Sequence, residues 1–292
     1  MFSTASFLIT LRETIEAALI IGLLLIYVSK IEQKKLRKDI WIGASLGVIL
    51  SIGLAIAFQF ILGGFEAYEE IIEGFSMIFA AILLTWMIIW MTRNSQNYKE
   101  NLENKIEQAI KTEYRFGLIS LAFISVLREG IETVIFLIGI EGTGESSTVI
   151  LWSGLTGIAI AILIAIIIFL SGKRINLKLF FRITSILLIL FAAGMLSHGF
   201  HELQELGWFG SESIWSQKIV WDTSVFLNDN TNEFGLFLRA LFGYQDKPTW
   251  LELIVYVGYF LIITIMMIVM NRRKRRRTEI TKKHHEVYTS TD

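Results

Sequence analysis

The sequence contains no cysteine, a single proline and little charge, with Asp, Glu, Lys and Arg making up 18% of its 292 residues. The absence of cysteine excludes a disulfide framework, a cysteine-ligated zinc or iron–sulfur site, and thiol redox chemistry. Hydrophobic residues account for 53% of the chain and the mean hydropathy is +0.56, which is too apolar for a disordered or an ordinary soluble protein. This composition is typical of a helical protein that crosses a membrane several times.

Seven apolar runs are long enough to cross the hydrocarbon core of a bilayer, which takes about 20 helical residues. Each run must be a helix, because lipid offers no hydrogen-bond partner to an unpaired backbone amide. The predicted spans are residues 3–29, 40–62, 70–92, 116–140, 148–171, 179–202 and 250–270.

The distribution of Lys and Arg predicts the orientation of these spans. Basic residues concentrate in the segments after spans one, three, five and seven, whereas the opposite side has only Lys218, Arg239 and Lys247. Because basic segments stay in the cytoplasm, we expect the N-terminus outside and the C-terminus inside a plasma membrane. Residues 203–249 would then form an extracellular segment, and residues 271–292 a basic cytoplasmic tail that contacts anionic lipid.

An internal repeat relates the first and fourth spans. Residues 11–16 read LRETIE, and residues 127–132, 116 positions further on, read LREGIE. A repeat of three spans, an odd number, places its two copies in opposite orientations, a plan shared by many secondary transporters. We therefore predict an all-α polytopic membrane protein with two inverted three-helix repeats, about 3–92 and 116–202, and a seventh helix at 250–270.

Each copy of the repeat carries one arginine and two glutamates in the middle of a span, where each charge costs at least ~2.5 kcal/mol. Each arginine can pair with the glutamate four positions on, so a purely structural role is one interpretation. Four carboxylates nevertheless leave two negative charges unbalanced, which favours a pathway for a cation or for protons. Gly130 and Ala17 are expected to let the two spans approach closely. The charged residues are Arg12, Glu13, Glu16, Arg128, Glu129 and Glu132.

The four mid-span glutamates predict a metal site, in which the two arginines orient the carboxylates. Carboxylate oxygens suit hard cations, and the absence of thiolate or thioether groups from the motifs disfavours copper(I).

Two further stripes of possible ligands follow the spacing i, i+3, i+4, i+7 at one end of a span. The predicted topology places both on the outer side, where we interpret them as a capture site for the metal. The alternative for the acidic stripe is a solvated helix start favoured by the helix dipole, and for the second stripe a chance arrangement. We name them the glutamate stripe (Glu66, Glu69, Glu70, Glu73) and the histidine stripe (His198, His201, Glu202, Glu205).

At these residues the chain resembles the oxidase-dependent iron permeases, which include the yeast high-affinity iron permease and the bacterial Efe-type permeases. That family carries Arg-Glu-x-x-Glu in its first and fourth spans, and both motifs described above match it. Residues 201–205 and the pair Glu73-Gly74 are also similar to the family, whereas Thr14 stands where the family usually has glycine.

The resemblance implies uptake of iron, either as Fe³⁺ or as Fe²⁺ that a partner oxidises. Iron would be the transported substrate, and no permanently bound cofactor is expected. Bacterial members of the family work with an extracytoplasmic iron-binding lipoprotein and a haem peroxidase, and fungal members with a multicopper oxidase as ferroxidase. The expected partners are therefore iron, membrane lipid and such proteins, and no nucleic acid.

Two other functions remain open at this point. One is a carboxylate-based transporter of another divalent metal, such as manganese or lead. The other is a membrane metalloenzyme, but a His-Glu-x-x-His protease site has Glu205 in place of the second histidine, and the Glu-x-x-His pairs of di-iron proteins do not occur. No P-loop is present either. We therefore predict a transporter without catalytic residues, not powered by ATP hydrolysis of its own.

Overall fold

The computed structural model describes residues 2–30, 32, 34–62, 69–94, 115–171, 177–209, 215–228 and 232–289. Within these ranges the chain forms a bundle of α-helices with one short 3-10 turn, Trp215–Gln217. The helices are α1 (Thr4–Lys30), α2 (Lys34–Leu62), α3 (Glu69–Asn94), α4 (Arg115–Glu141), α5 (Ser147–Ser171), α6 (Leu177–Glu205), α7 (Glu233–Phe242) and α8 (Trp250–Thr289).

Every one of the seven predicted apolar segments is a helix, and most helix ends lie within a few residues of the prediction. The bounds differ most where charged residues continue a helix beyond its apolar run. Thus α2 begins at Lys34 rather than at 40, and α8 continues through the basic tail to Thr289.

Five helices, α2, α3, α5, α6 and α8, are long and apolar enough to cross a membrane. The helices α1 and α4 have 27 residues each, but each carries the three charged residues of its motif near the middle. The architecture is that of a polytopic helical membrane protein.

Helix α7 was not expected, because it lies within the polar segment between the sixth and seventh spans. Its N-terminus is capped by Asn232, whose side chain accepts hydrogen bonds from the backbone N–H groups of Phe234 and Gly235. Its C-terminus is capped by Gly243 in the left-handed conformation (φ 65°), which glycine adopts without a steric penalty. Gly243 packs directly on Gly194 of α6, so α7 lies against the bundle.

One type of helix contact occurs twice: the residues contacted on α1 and α4 are 116 positions apart, and the two glycines that contact them are 110 positions apart. Gly47 of α2 lies on the backbone of α4, and Gly157 of α5 lies on the backbone of α1. In both cases the missing side chain lets two helices approach to backbone contact. The contacted backbone atoms are Phe123 O and Leu127 N on α4, and Phe7 O and Leu11 N on α1.

The order of such contacts along each helix gives the helix directions. Helices α1 and α5 are parallel, α2 and α4 are parallel, and α3 is antiparallel to both α4 and α6. Only three residues separate α1 from α2 in the chain and the two helices pack together, so they are antiparallel neighbours, and α1–α3 run in the opposite sense to α4–α6. The contact pairs are Gly154–Ser6 and Gly22–Phe169 between α1 and α5, and Gly43–Ala122 and Gly130–Ser51 between α2 and α4. They are Gly142–Met77 and Gly139–Ala80 between α3 and the end of α4, and Gly74–Leu203 and Gly199–Ile78 between α3 and α6.

The role expected for Gly130 is corrected by these contacts. Gly130 packs against Ser51 of α2 and so serves the α2–α4 contact, rather than the approach of α1 to α4. Helices α1 and α4 instead bring their glutamates together.

The substitution Gly157→Ala tests the backbone contact between α1 and α5. A methyl group at position 157 would lie 2.6 Å from Phe7 O, so the helices would have to separate. Overpacking of this kind costs about 1–3 kcal/mol, and we expect a lower apparent unfolding temperature of the purified protein in detergent.

Gly53→Ala is the matched control, because a methyl group on Gly53 has no atom within 4 Å. It should leave the unfolding temperature unchanged or raise it, since alanine favours a helix over glycine by about 1 kcal/mol. Equal unfolding temperatures for the two variants would contradict the contact.

Candidate metal centre

Three of the four predicted mid-span glutamates meet inside the bundle. Glu13 and Glu16 of α1 and Glu129 of α4 each offer a carboxylate oxygen, and these oxygens all lie within 4.8 Å of one another. All three residues are buried, with at most 7% of their surface exposed. We call them the glutamate trio. The spacing i, i+3 places Glu13 and Glu16 on one face of α1, and the approach of α4 adds the third carboxylate.

Most carboxylate oxygens of the trio lack a hydrogen-bond partner. Among the described residues, neither oxygen of Glu13 and neither oxygen of Glu129 has a hydrogen-bond partner. The two carboxyl groups are close enough to share a proton, but they cannot bond to each other when both are ionised. Buried carboxylates without hydrogen bonds are strongly unfavourable, so this site is suited to hold a cation or protons.

The two motif arginines lie in different environments. Arg12 is completely buried, its Nε lies 3.0 Å from Glu16 Oε1, and its Nη2 contacts Met91 Sδ at 2.8 Å. The side chain of Arg128 is 43% exposed, and its Nη2 lies 3.0 Å from Glu129 Oε1. Its Cζ also lies 5.3 Å from the ring centroid of Trp90. Both arginines therefore reach the last turns of α3, through Trp90 and Met91.

Glu132, the fourth predicted ligand, lies beside the trio rather than within it. Its Oε1 is 3.3 Å from Arg128 Nε, and its side chain is 24% exposed. Its charge still interacts with Glu13 and Glu16. The geometry thus gives Glu132 a more peripheral position than the other three glutamates.

The histidine stripe is a connected group on the last turns of α6. His198 Nε2 lies 3.6 Å from Glu202 Oε1, and His201 Nε2 lies 3.2 Å from Glu205 Oε1. The two imidazole rings stack, with their centroids 5.9 Å apart. Four possible ligands of a metal ion therefore face one direction over two helical turns.

The described part of the glutamate stripe lies next to the histidine stripe. Gly74 of α3 and Gly199 of α6 pack with backbone contact, which brings the start of α3 to the end of α6. Glu70 and Glu73 are then close enough to Glu202 for their charges to interact. Glu66 and the side chain of Glu69 lie outside the described residues.

Arg239 connects α7 to this end of the bundle. Its Nη2 donates a hydrogen bond to Thr143 O at 2.8 Å, and its charge interacts with Glu145 and His198. Glu145 lies in the turn between α4 and α5, where burial raises the pKa of its carboxyl group. Helix α7 is thereby fixed beside the histidine stripe.

The sequence analysis missed two residues that contact the histidine stripe. Gln245 Nε2 lies 3.1 Å from His198 Nδ1, and Glu252 Oε1 of α8 lies 3.3 Å from His201 Nδ1. Both follow the sixth span by more than 35 residues, so no periodicity connects them to α6. The only available signal was the helix-start pattern Thr249-x-x-Glu252, which indicates a cap rather than a ligand.

Comparison with known proteins identifies relatives over nearly the whole chain. Residues 3–277 match the family described as Iron permease FTR1 family. The ferrous iron permease EfeU of Escherichia coli O6:H1 is 32% identical over 263 residues, which cover 87% of this chain and 91% of that protein. EfeU of Yersinia pseudotuberculosis is 31% identical over 269 residues, which cover 89% and 91% of the two chains. No solved structure is significantly similar to this chain.

Removal of the Arg12 charge tests how far the trio depends on its buried guanidinium. In Arg12→Gln, Glu16 would remain buried without its ion-pair partner, and breaking a buried ion pair costs about 3–5 kcal/mol. Lys247→Gln is the control, because Lys247 and its partner Asp222 are 46% and 52% exposed and an exposed pair contributes about 1 kcal/mol or less. Unfolding of both variants in detergent should therefore show a much larger loss for Arg12→Gln, and equal losses would contradict the difference in burial.

Proposed function

The chain belongs to the iron permease FTR1 family, and on that premise we propose that the glutamate trio is the site through which iron crosses the membrane. The relatives are named as permeases, so the protein is a multi-pass membrane transporter and not an enzyme. The observation that carries the proposal is the convergence of three buried carboxylates from α1 and α4 within 4.8 Å.

The charge balance of the site supports transport of a cation. Glu13 and Glu129 lack hydrogen-bond partners among the described residues, so in the empty protein their charges are compensated only by nearby guanidinium groups or by protons. A metal cation would supply the missing compensation while it is bound. Arg12 and Arg128 would orient the carboxylates and keep the charge of the empty site low enough for the protein to fold.

The carboxylate site by itself would also accept manganese or lead, and family membership is what favours iron. We propose that the ion is ferric when it reaches the trio, taken up as Fe³⁺ or oxidised from Fe²⁺ on the way, because oxygen-only ligands suit the harder ion. The relatives' names specify ferrous iron, which agrees with Fe²⁺ as the form supplied. An iron-binding lipoprotein and a haem peroxidase, or another ferroxidase, are the proposed partners, with no cofactor bound permanently to this chain.

The proposed architecture has seven spans, with the N-terminus outside and the C-terminus in the cytoplasm. The basic segments support this orientation. The opposite directions of α1–α3 and α4–α6 support two inverted repeats, as do the glycine contacts with backbone atoms of α1 and α4 that lie 116 residues apart. The extracellular segment at 203–249, the seventh span at 250–270 and the tail at 271–292 would complete the chain.

This orientation would place both stripes on the outer side, where they form the proposed capture site. Imidazole and carboxylate groups there raise the local concentration of cations before they reach the trio. The proximity of Glu70 and Glu73 to Glu202 supports one shared site rather than two separate stripes.

Substitution of the glutamates tests the transport site in proteoliposomes that contain the purified protein. Glu13→Gln, Glu16→Gln and Glu129→Gln should each nearly abolish uptake of labelled iron, because each removes a charge that the transported ion needs. Glu132→Gln should have a smaller effect, since Glu132 lies outside the trio and is 24% exposed.

Glu32→Gln is the control, since it removes an exposed carboxylate in the turn between α1 and α2 and should leave uptake unchanged. The assay is run with iron fixed as chelated Fe³⁺ and, separately, with Fe²⁺ under a reductant. Faster uptake under the reductant would overturn the ferric assignment alone, whereas normal uptake in all three trio variants would overturn the proposed site.

Substitutions in the capture site should change the kinetics of iron uptake differently from substitutions in the trio. Replacing His198, His201, Glu202 and Glu205 together by glutamine should raise the iron concentration for half-maximal uptake more than it lowers the maximal rate. The reason is that a capture site raises the local concentration of substrate but does not form the transport barrier. If only the maximal rate falls, the histidine stripe acts as a gate or as part of the main site.

A further inference from the structure

Glu252 is a buried acidic residue that neither the repeat nor the histidine stripe includes. It lies in the first turn of α8, outside the proposed duplication, and only 1% of its surface is exposed. Its Oε1 points at His201 Nδ1, 3.3 Å away. Neither of these two atoms has a hydrogen-bond partner among the described residues.

The second oxygen of Glu252 has a structural role. Oε2 accepts a hydrogen bond from Thr249 N at 2.6 Å, and Thr249 Oγ1 accepts one from Glu252 N at 3.4 Å. This reciprocal arrangement is a capping box, which glutamate or glutamine can form at the third helical position. The capping box accounts for Oε2 and leaves Oε1 unexplained.

The separation of Oε1 and Nδ1 suits two ligands of one metal ion. Nitrogen and oxygen ligands of divalent metals lie about 2.0–2.2 Å from the ion, so two neighbouring ligands at right angles are about 3 Å apart. The observed 3.3 Å needs only a small adjustment. His201 could then bind the ion through Nδ1 while its Nε2 remains 3.2 Å from Glu205 Oε1, a carboxylate contact that fixes the ring as in many metal sites.

We propose that Glu252 Oε1 and His201 Nδ1 are joint ligands of a divalent cation at the outer capture site, an assignment that rests on the proposed function. The mixed imidazole and carboxylate ligands select a borderline divalent ion such as Fe²⁺. The glutamate trio, which offers oxygen alone, selects a harder one. The two sites therefore differ in the form of iron that they bind, and α8 supplies a ligand as well as a membrane span.

The test measures binding of Co²⁺, a redox-stable divalent probe, to the full-length protein in detergent. Glu13→Gln and Glu129→Gln are introduced first, so that binding reports on the outer site alone. Adding Glu252→Gln should weaken Co²⁺ binding at least about tenfold, the lower end of the losses seen when groups around a metal are removed. His201→Gln should weaken it similarly, and the two effects should not add, because either change removes the shared ion.

Two controls separate a ligand from a structural residue. Thr249→Ala removes the hydroxyl that accepts one of the two capping hydrogen bonds but keeps the Glu252 carboxylate, so Co²⁺ affinity should stay within about twofold of the parent. Asp222→Asn removes an exposed charge that pairs with Lys247 and should have no effect. Glutamine preserves the capping box, so the metal-free Glu252→Gln variant should unfold at the parent's temperature.

Unchanged Co²⁺ affinity in Glu252→Gln, with affinity lost in His201→Gln, would overturn the proposal and leave the capture site intact. An equal loss in Thr249→Ala and Glu252→Gln would overturn it as well, since a change that keeps the Glu252 carboxylate would then weaken binding as much as one that removes it. If the parent with the two trio substitutions binds no Co²⁺, the capture site itself fails. That outcome is distinct from failure of the trio, which iron uptake measures independently.

Discussion

The burial of three carboxylates in an apolar bundle is the constraint on which the rest of the structure depends. Glu13, Glu16 and Glu129 lie within 4.8 Å of one another, and Arg12 is the one completely buried guanidinium that contacts them in the described part of the chain. A cluster of buried charged residues is stable only where other helices shield it from lipid. This explains why α1 and α4, the two helices with charged motifs near their middle, pack against α5 and α2, which have long apolar stretches, and why the remaining unbalanced charge suits a cation.

Backbone contacts at glycines create this enclosure. Gly47 places α2 on α4, and Gly157 places α5 on α1, so each motif helix is covered by a helix from the other group of three, α1–α3 or α4–α6. The two halves are nevertheless not equivalent around the motifs. Arg12 is buried against Met91, whereas Arg128 is 43% exposed beside Trp90. Helix α3 contacts both arginines, but through Met91 for one and through Trp90 for the other. Similar motifs thus have different environments, and Glu132 is more exposed than Glu16.

The sequence predicted whatever depends on local pattern or on the repeat. Apolar runs located the helices because lipid leaves the backbone no alternative, and the mid-span position of Glu13 and Glu129 marked them as candidate site residues because buried charge is costly. The sequence could not predict that Gly130 would pack against Ser51, that Met91 would contact Arg12, or that α7 would dock on Gly194. These features depend on contacts between segments far apart in the chain. Glu252 was missed for a related reason, because its local pattern has a sufficient explanation as a helix cap.

The pairing of α3 with α6 makes the two ends of the bundle chemically different, which the sequence repeat alone does not. These helices are antiparallel and meet at Gly74 and Gly199, so the start of α3 lies beside the end of α6. At that end the pair presents Glu70, Glu73 and the histidine stripe. Towards the opposite end α3 carries Trp90 and Met91, which contact the motif arginines. The same helix pair therefore carries possible metal ligands at one end and apolar residues beside the motifs at the other. Because Glu252 of α8 also lies at the first end, a helix outside the proposed duplication adds to this asymmetry, and the proposed one-way capture of a cation would require such polarity.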